Sequence, residues 1–229
     1  MDRKSIISDL VKHYLSQPYQ PEHYYSNVVE ADGQYLGPYI PYIGENYLAA
    51  KPRVLIYAMA QNLNRAKGLM KMWLNSSDKG LLRQYYDSDT PHIHVYPYDN
   101  GHLKVITALL LSSYLETNYG ATDDVNSLVA VTNFVKFSFY RKNADGRTFD
   151  TNPPSSIYDR MWHHYCKYEI EMLEPDIIIG VGKAVTSTVN RVMEDASMVR
   201  PLIIGVPFPG GLNLNSQWIP EGKSVDRQR

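Results

Sequence analysis

One cysteine, Cys166, stands in a chain of 229 residues. That excludes an intramolecular disulfide, a four-cysteine zinc site and a cysteine-ligated iron–sulfur cluster. No apolar run approaches the roughly 20 residues of a membrane span, and the richest, Val105–Leu111, is far too short. Met1–Leu10 is polar and charged, without the apolar core of a signal peptide, so a cytoplasmic protein with a reduced Cys166 is expected. Net charge is only −1, which excludes polyanion binding by bulk charge. No internal repeat and no low-complexity tract is present. The aromatics lean to one type: 19 tyrosines against 5 Phe and 3 Trp. Length and an ordinary apolar share predict one domain over 1–229, with a Tyr- and Pro-rich decoration at about 17–50.

Charge is uneven along the chain. Residues 51–83 carry seven bases against Asp78, and residues 133–147 carry four against Asp145. Residues 150–176 carry six acids against Arg160 and Lys167. Two basic segments can form a basic face on a neutral protein, although a charge cluster alone also describes a solvated helix surface.

The hydrophobic pattern predicts an α/β fold. Residues 2–16 place Ile6, Leu10, Val11, Tyr14 and Leu15 on one helical face. Four short apolar runs read as parallel strands covered on both sides: 53–59, 128–135, 176–181 and 201–206. Helical patterns fall between them at 66–74, 102–115, 156–173 and 183–193, with a further extended piece at 92–98. Alternating strand and helix imply a short four-stranded parallel sheet between helical layers, a three-layer αβα arrangement. Ligands of such sheets bind at the carboxyl ends of the strands. The loops there are 60–65, 136–151, 182–183 and 207–214.

Several motifs fail as chemistry. Gly180-Val181-Gly182-Lys183 lacks the upstream glycine and the following Ser or Thr of a phosphate-binding loop, and reads as a tight strand-to-helix turn. His163 and His164 point about 100° apart on a helix, and His92-x-His94 brings no third ligand, so no metal or other cofactor is implied. Cys166 lies among Met161, Trp162 and Ile170 as a small core residue.

Three strand ends carry more. The first runs into Gln61-Asn62, an amide pair that can hold a water or aim a carbonyl into a crevice. The second carries Asn133 inside an apolar run; an amide offers a donor and an acceptor together, suited to the edge of a pyrimidine. The fourth leads into Pro207-Phe208-Pro209-Gly210-Gly211, stiff and then permissive, with Leu212 at its tip. Each alone also reads as turn or cap chemistry.

At these residues the chain resembles the uracil-DNA glycosylase superfamily, most of all its iron–sulfur branch. Thr132-Asn133-Phe134-Val135-Lys136 is followed by Arg141, a long helix, Leu173-Glu174-Pro175, an isoleucine strand and Gly182-Lys183. The likeness spans roughly 52–214. It implies a DNA partner and a monofunctional base-removing hydrolase that flips its target out of the helix. Asn62 would position the water, with Gln61 beside it. Base binding would fall to Asn133, Phe134 and Phe208, and Leu212 would be the wedge. Phosphate contacts would come from Arg65, Lys67 and Lys136, and from Arg141, Lys142 and Lys183. The chain lacks that branch's cysteines and the histidine of the superfamily's last motif. Two other readings therefore stand beside this one: a non-catalytic nucleic-acid or protein-binding module, and an enzyme acting on a free base or nucleotide.

Overall fold

A strand covered on both faces can be apolar throughout; three of the four runs are mostly buried, while the fourth leaves Leu202 60% and Ile204 39% exposed. The computed structural model describes residues 1–17, 40–60, 125–137, 140–142, 144, 148–150, 153–194 and 200–206. Strands β1 (Tyr42–Ile43), β2 (Val54–Ala60), β3 (Val129–Val135), β6 (Ile177–Val181) and β7 (Leu202–Val206) make one sheet in the order β1-β3-β2-β6-β7. β3, β2, β6 and β7 pair in parallel. The sheet departs from the expected all-parallel one: β1 adds antiparallel to β3, with Tyr42 opposite Val131 and Ile43 opposite Ala130. Two apolar residues between Pro41 and Gly44 are too short a run to stand out as a strand in the sequence. A separate hairpin, β4 (Tyr140–Lys142) with β5 (Thr148–Asp150), occupies what the sequence presents as a loop.

The expected helices at 66–74 and 102–115, and the extended piece at 92–98, lie outside the described residues. Helix α1 (Arg3–Ser16) is capped by Asp2, whose carboxylate accepts from the Ser5 amide at 2.8 Å. Its Ile6, Leu10, Val11 and Tyr14 are buried. The long helix begins with a tight turn at Ser155–Ile157 and continues as α2 (Tyr158–Met161), a π turn at Trp162–Cys166, and α3 (Lys167–Leu173). Glu174 ends it in the left-handed conformation at φ 45°, ahead of Pro175. Helix α4 (Lys183–Glu194) follows β6 directly.

These helices share one core with one face of the sheet, where Leu55, Tyr57, Ala130, Phe134 and Ile178 meet Leu10, Met161, Cys166, Ile170 and Val189. The other face presents Val54, Ile56, Val129, Val131, Ile179, Val181 and Val206, all buried. Two β-strand glycines set how closely α4 approaches. A Cβ on Gly180 would lie 2.7 Å from Thr186 Oγ1 and 2.9 Å from Thr186 Cα, and one on Gly205 would lie 2.7 Å from Thr186 Cγ2. Among the described residues, no helix is long and apolar enough to cross a membrane.

This packing predicts an asymmetry between the two glycines. Gly180→Ala should lower the melting temperature by the equivalent of about 1–3 kcal/mol, the usual cost of overpacking. Thr186→Ala in the same chain should rescue Gly205→Ala, which meets only side-chain atoms. It should leave Gly180→Ala impaired, because that clash includes the α4 backbone. Thermal denaturation of the four variants measures both effects.

Candidate functional site

The parallel strands end together, β2 at Ala60, β3 at Val135, β6 at Val181 and β7 at Val206. From β2 the chain steps outward to β3, then returns across β2 to build β6 and β7 on the other side. The direction of winding therefore reverses between β2 and β6, the point at which open α/β sheets form a ligand crevice beyond their carboxyl ends. Gly182, at φ 93°, makes the turn from β6 into α4, and its N–H donates to the Val206 carbonyl at 2.6 Å. The glycine-lysine motif is thus a strand-to-helix turn. Lys183 follows as the first residue of α4 and is exposed beside the reversal point.

The sequence-predicted residues divide into three groups. Gln61, Asn62, Arg65, Lys67, Phe208 and Leu212 lie outside the described residues, although Gln61 directly follows the last residue of β2. Arg141 and Lys142 belong to β4, opposite Phe149 and Thr148. Asn133, Phe134, Lys136 and Lys183 are described. Asn133 lies near the carboxyl end of β3, in register with Ala58 of β2, and is 7% exposed.

Two of these residues do not have the surroundings expected of them. Lys136, expected at a DNA phosphate, is fully buried at 0% exposure. Its ammonium donates to Thr132 Oγ1 at 2.9 Å, to the Asn133 carbonyl at 2.5 Å and to Glu169 at 2.6–2.7 Å. An ammonium has three hydrogens, so the donor set is used up inside the protein. Phe134, expected beside a base, is 1% exposed and packs edge-on against Tyr57 and Tyr158. Its ring surface is already occupied by the core.

Glu169 completes a network that the sequence reading missed. Its carboxylate accepts from the Tyr14 hydroxyl of α1, from the Tyr57 hydroxyl of β2 at 2.8 Å and from Lys136. Burial, and then the Glu169 charge, push the Tyr57 phenol well above its usual range, so it is a permanent donor. The adjacent Cys166 is fully buried, and burial pushes its thiol up to about 12, which matches the core role expected of it. The signal for Glu169 was present: it falls four residues after Tyr165 and eight after Met161, on the apolar stripe of its helix.

Of the two adjacent histidines, His164 joins His13 at the seam between α1 and the long helix, while His163 is exposed. His13 stacks on Tyr168, with ring centroids 3.9 Å apart, and its Nε2 contacts the His164 carbonyl at 2.8 Å. His164 Nδ1 lies 2.9 Å from Gln17 Oε1. Partial burial lowers the His164 pKa from 6.5, helped by the neighbouring His163, Arg160 and His13.

A scan against models of known protein families finds no match, and a search of curated proteins also finds none.

Two predictions follow from these groups. Lys136→Met strands a buried carboxylate and should destabilise the protein by about 3–5 kcal/mol, whereas Lys136→Met/Glu169→Gln removes both charges and should cost far less. Urea denaturation compares them. For His164 the folded state resists a proton that the unfolded chain accepts. Stability is then fully present above pH 6.5 and falls as the pH drops from 6.5 towards the lowered folded value. Melting curves between pH 7.5 and 5 should show this loss, reduced in His164→Gln.

Proposed function

We propose that this chain is a base-recognising protein of the uracil-DNA glycosylase kind, built as a three-layer αβα domain with DNA as its partner. In this reading a base is flipped out of the duplex into the crevice beyond β2 and β6, at a cost of a few kcal/mol. Asn133 reads its edge, Asn62 positions the attacking water with Gln61 beside it, Phe208 lines the base, and Leu212 fills the vacated place in the stack. Arg65, Lys67, Arg141, Lys142 and Lys183 bear on the phosphates.

The observation that carries the reading is strand order. With β3-β2-β6-β7 parallel, β2 ends at Ala60, beside the strand at which the winding reverses, and Gln61-Asn62 follow Ala60 in the sequence. Asn133 stands one strand away at the same end of the sheet. Lys136 and Phe134 drop out of the contact set, since both are enclosed in the core. The loss of Lys136 from the basic face favours, as a second reading, a binding module without catalysis on the same surface.

Oligonucleotides carrying uracil, hypoxanthine or an alkylated base test both. The wild type should release one of these bases, and Asn62→Ala should slow release by about 100-fold or more. Asn133→Ala should reduce discrimination between bases by about 10- to 100-fold, the value of one bidentate contact. Lys183→Gln should weaken binding equally across sequences and reduce the slope of log affinity against log salt by about 1. Salt-dependent binding without release of any base selects the binding module. Neither binding nor release, at low salt, overturns both.

A further inference from the structure

Helix α1 is fastened at its two ends by different chemistry. Near its start, Arg3 donates from Nε to the Ile43 carbonyl of β1 at 2.6 Å. At its other end, His13 and Gln17 meet His164 in the π turn of the long helix. Between these ends Ile6, Leu10, Val11 and Tyr14 are buried in the shared core. The Tyr14 ring meets Tyr165 edge-on at 4.9 Å, and its hydroxyl donates to Glu169.

The protons of the histidine seam can be placed. A carbonyl only accepts, so His13 Nε2 donates to the His164 carbonyl at 2.8 Å while its ring stacks on Tyr168. Gln17 Oε1 only accepts, so His164 Nδ1 donates to it at 2.9 Å. His164 therefore has Nε2 left to take a proton, and taking one breaks neither bond. What changes is charge. The half-buried His164 faces His163 and Arg160 on its own helix and His13 of α1, and burial and all three neighbours oppose a positive charge there. The nearest described acids along the two helices are engaged elsewhere: Asp9 with Lys12 at 3.0 Å, Asp159 with Arg191 at 2.6 Å and Glu169 with Lys136 at 2.6 Å. The stability that a neutral His164 contributes is complete above pH 6.5 and is lost as the pH falls below it.

We propose that this seam is an acid-sensitive latch: a proton on His164 frees the carboxyl-terminal end of α1 from the long helix, while Arg3 keeps the other end on β1 and the sheet stays folded. The opening is local because the rest of the structure keeps its partners. The Arg3 guanidinium stays charged throughout this pH range. When the Tyr14 hydroxyl withdraws, Glu169 retains Lys136 and Tyr57 as donors. α1 gives no strand to the sheet, so its departure breaks no ladder. Elements held in this way open at a lower free energy than the sheet they lie on. The latch is independent of any reading of the strand ends as a base-binding site.

Amide hydrogen exchange on the full-length protein at pH 7.5 and pH 5, with rates corrected for the intrinsic pH dependence of exchange, tests the latch. In the wild type, corrected exchange at residues 9–17 should quicken severalfold at pH 5, while residues 54–59 and 129–135 stay protected. His164→Gln keeps a polar partner for Gln17 without a titrating ring, so α1 should exchange at the same corrected rate at both pH values. His163→Gln removes a facing charge from an exposed position and should reduce the acceleration without abolishing it. If His164→Gln does not fold, the His163→Gln comparison decides. Tyr14→Phe removes a docking bond from α1 and leaves the histidines in place, so it should quicken α1 exchange at both pH values and preserve the acid response. Equal corrected rates in the wild type at the two pH values overturn the proposal. So does an acceleration that persists in His164→Gln, is unchanged in His163→Gln, or is shared by β2 and β3.

Discussion

The fold depends on one buried ion pair. Lys136 and Glu169 are both at 0% side-chain exposure and 2.6 Å apart, and between them they reach four separate elements: α1, β2, β3 and α3. A buried charge is tolerated only when its partners are complete, and here each hydrogen of the ammonium has an acceptor. Such a network specifies its own geometry more strictly than apolar contact does, because a small displacement leaves an ion unsatisfied. Tyr14 and Tyr57 are therefore more than filler. Their rings pack the core, and their hydroxyls complete the carboxylate. The abundance of tyrosine in the chain has a physical use in this part of the protein: a ring that packs like phenylalanine and a hydroxyl that satisfies a buried acceptor. Tyr47 repeats the device, donating to the Leu173 carbonyl at 3.2 Å.

The sheet and the network meet at the same end of the molecule. The parallel strands bring four carboxyl ends to one edge, and the winding reverses between the neighbouring strands β2 and β6. At that edge the network holds the end of β3 through Thr132 and the Asn133 carbonyl. The two glycines of β6 and β7 contribute from the other side: by admitting Thr186 at close range they bring α4, with Lys183 at its start, down onto the sheet end. The π turn at Trp162–Cys166 belongs to the same arrangement, lying immediately before the helix segment that carries Glu169.

Much of this was legible in the sequence, and the reasons differ by element. The strands at 54–60, 129–135 and 177–181 were legible because burial on both faces leaves mostly apolar side chains, and 202–206 was legible from an unbroken apolar run although Leu202 and Ile204 are exposed. Helices α1 and α4 were legible from their 3.6-residue stripe. β1 and the β4–β5 hairpin were not, since two or three residues carry no period. Lys136 was misread for a general reason: a basic residue at a strand end in a basic segment has the same sequence signature whether it points to solvent or into the core. Its partner is 33 residues away, and no local pattern joins them.

The sequence by itself determined the α/β class, the strands and their shared carboxyl edge, and the core character of Cys166, because each follows from hydrophobic periodicity along a continuous stretch. The tertiary structure alone decided the antiparallel β1, the order of the strands and the fate of Lys136. These depend on which distant segments meet. An ion's energy is set by the partners and the solvent around it rather than by its neighbours in the chain.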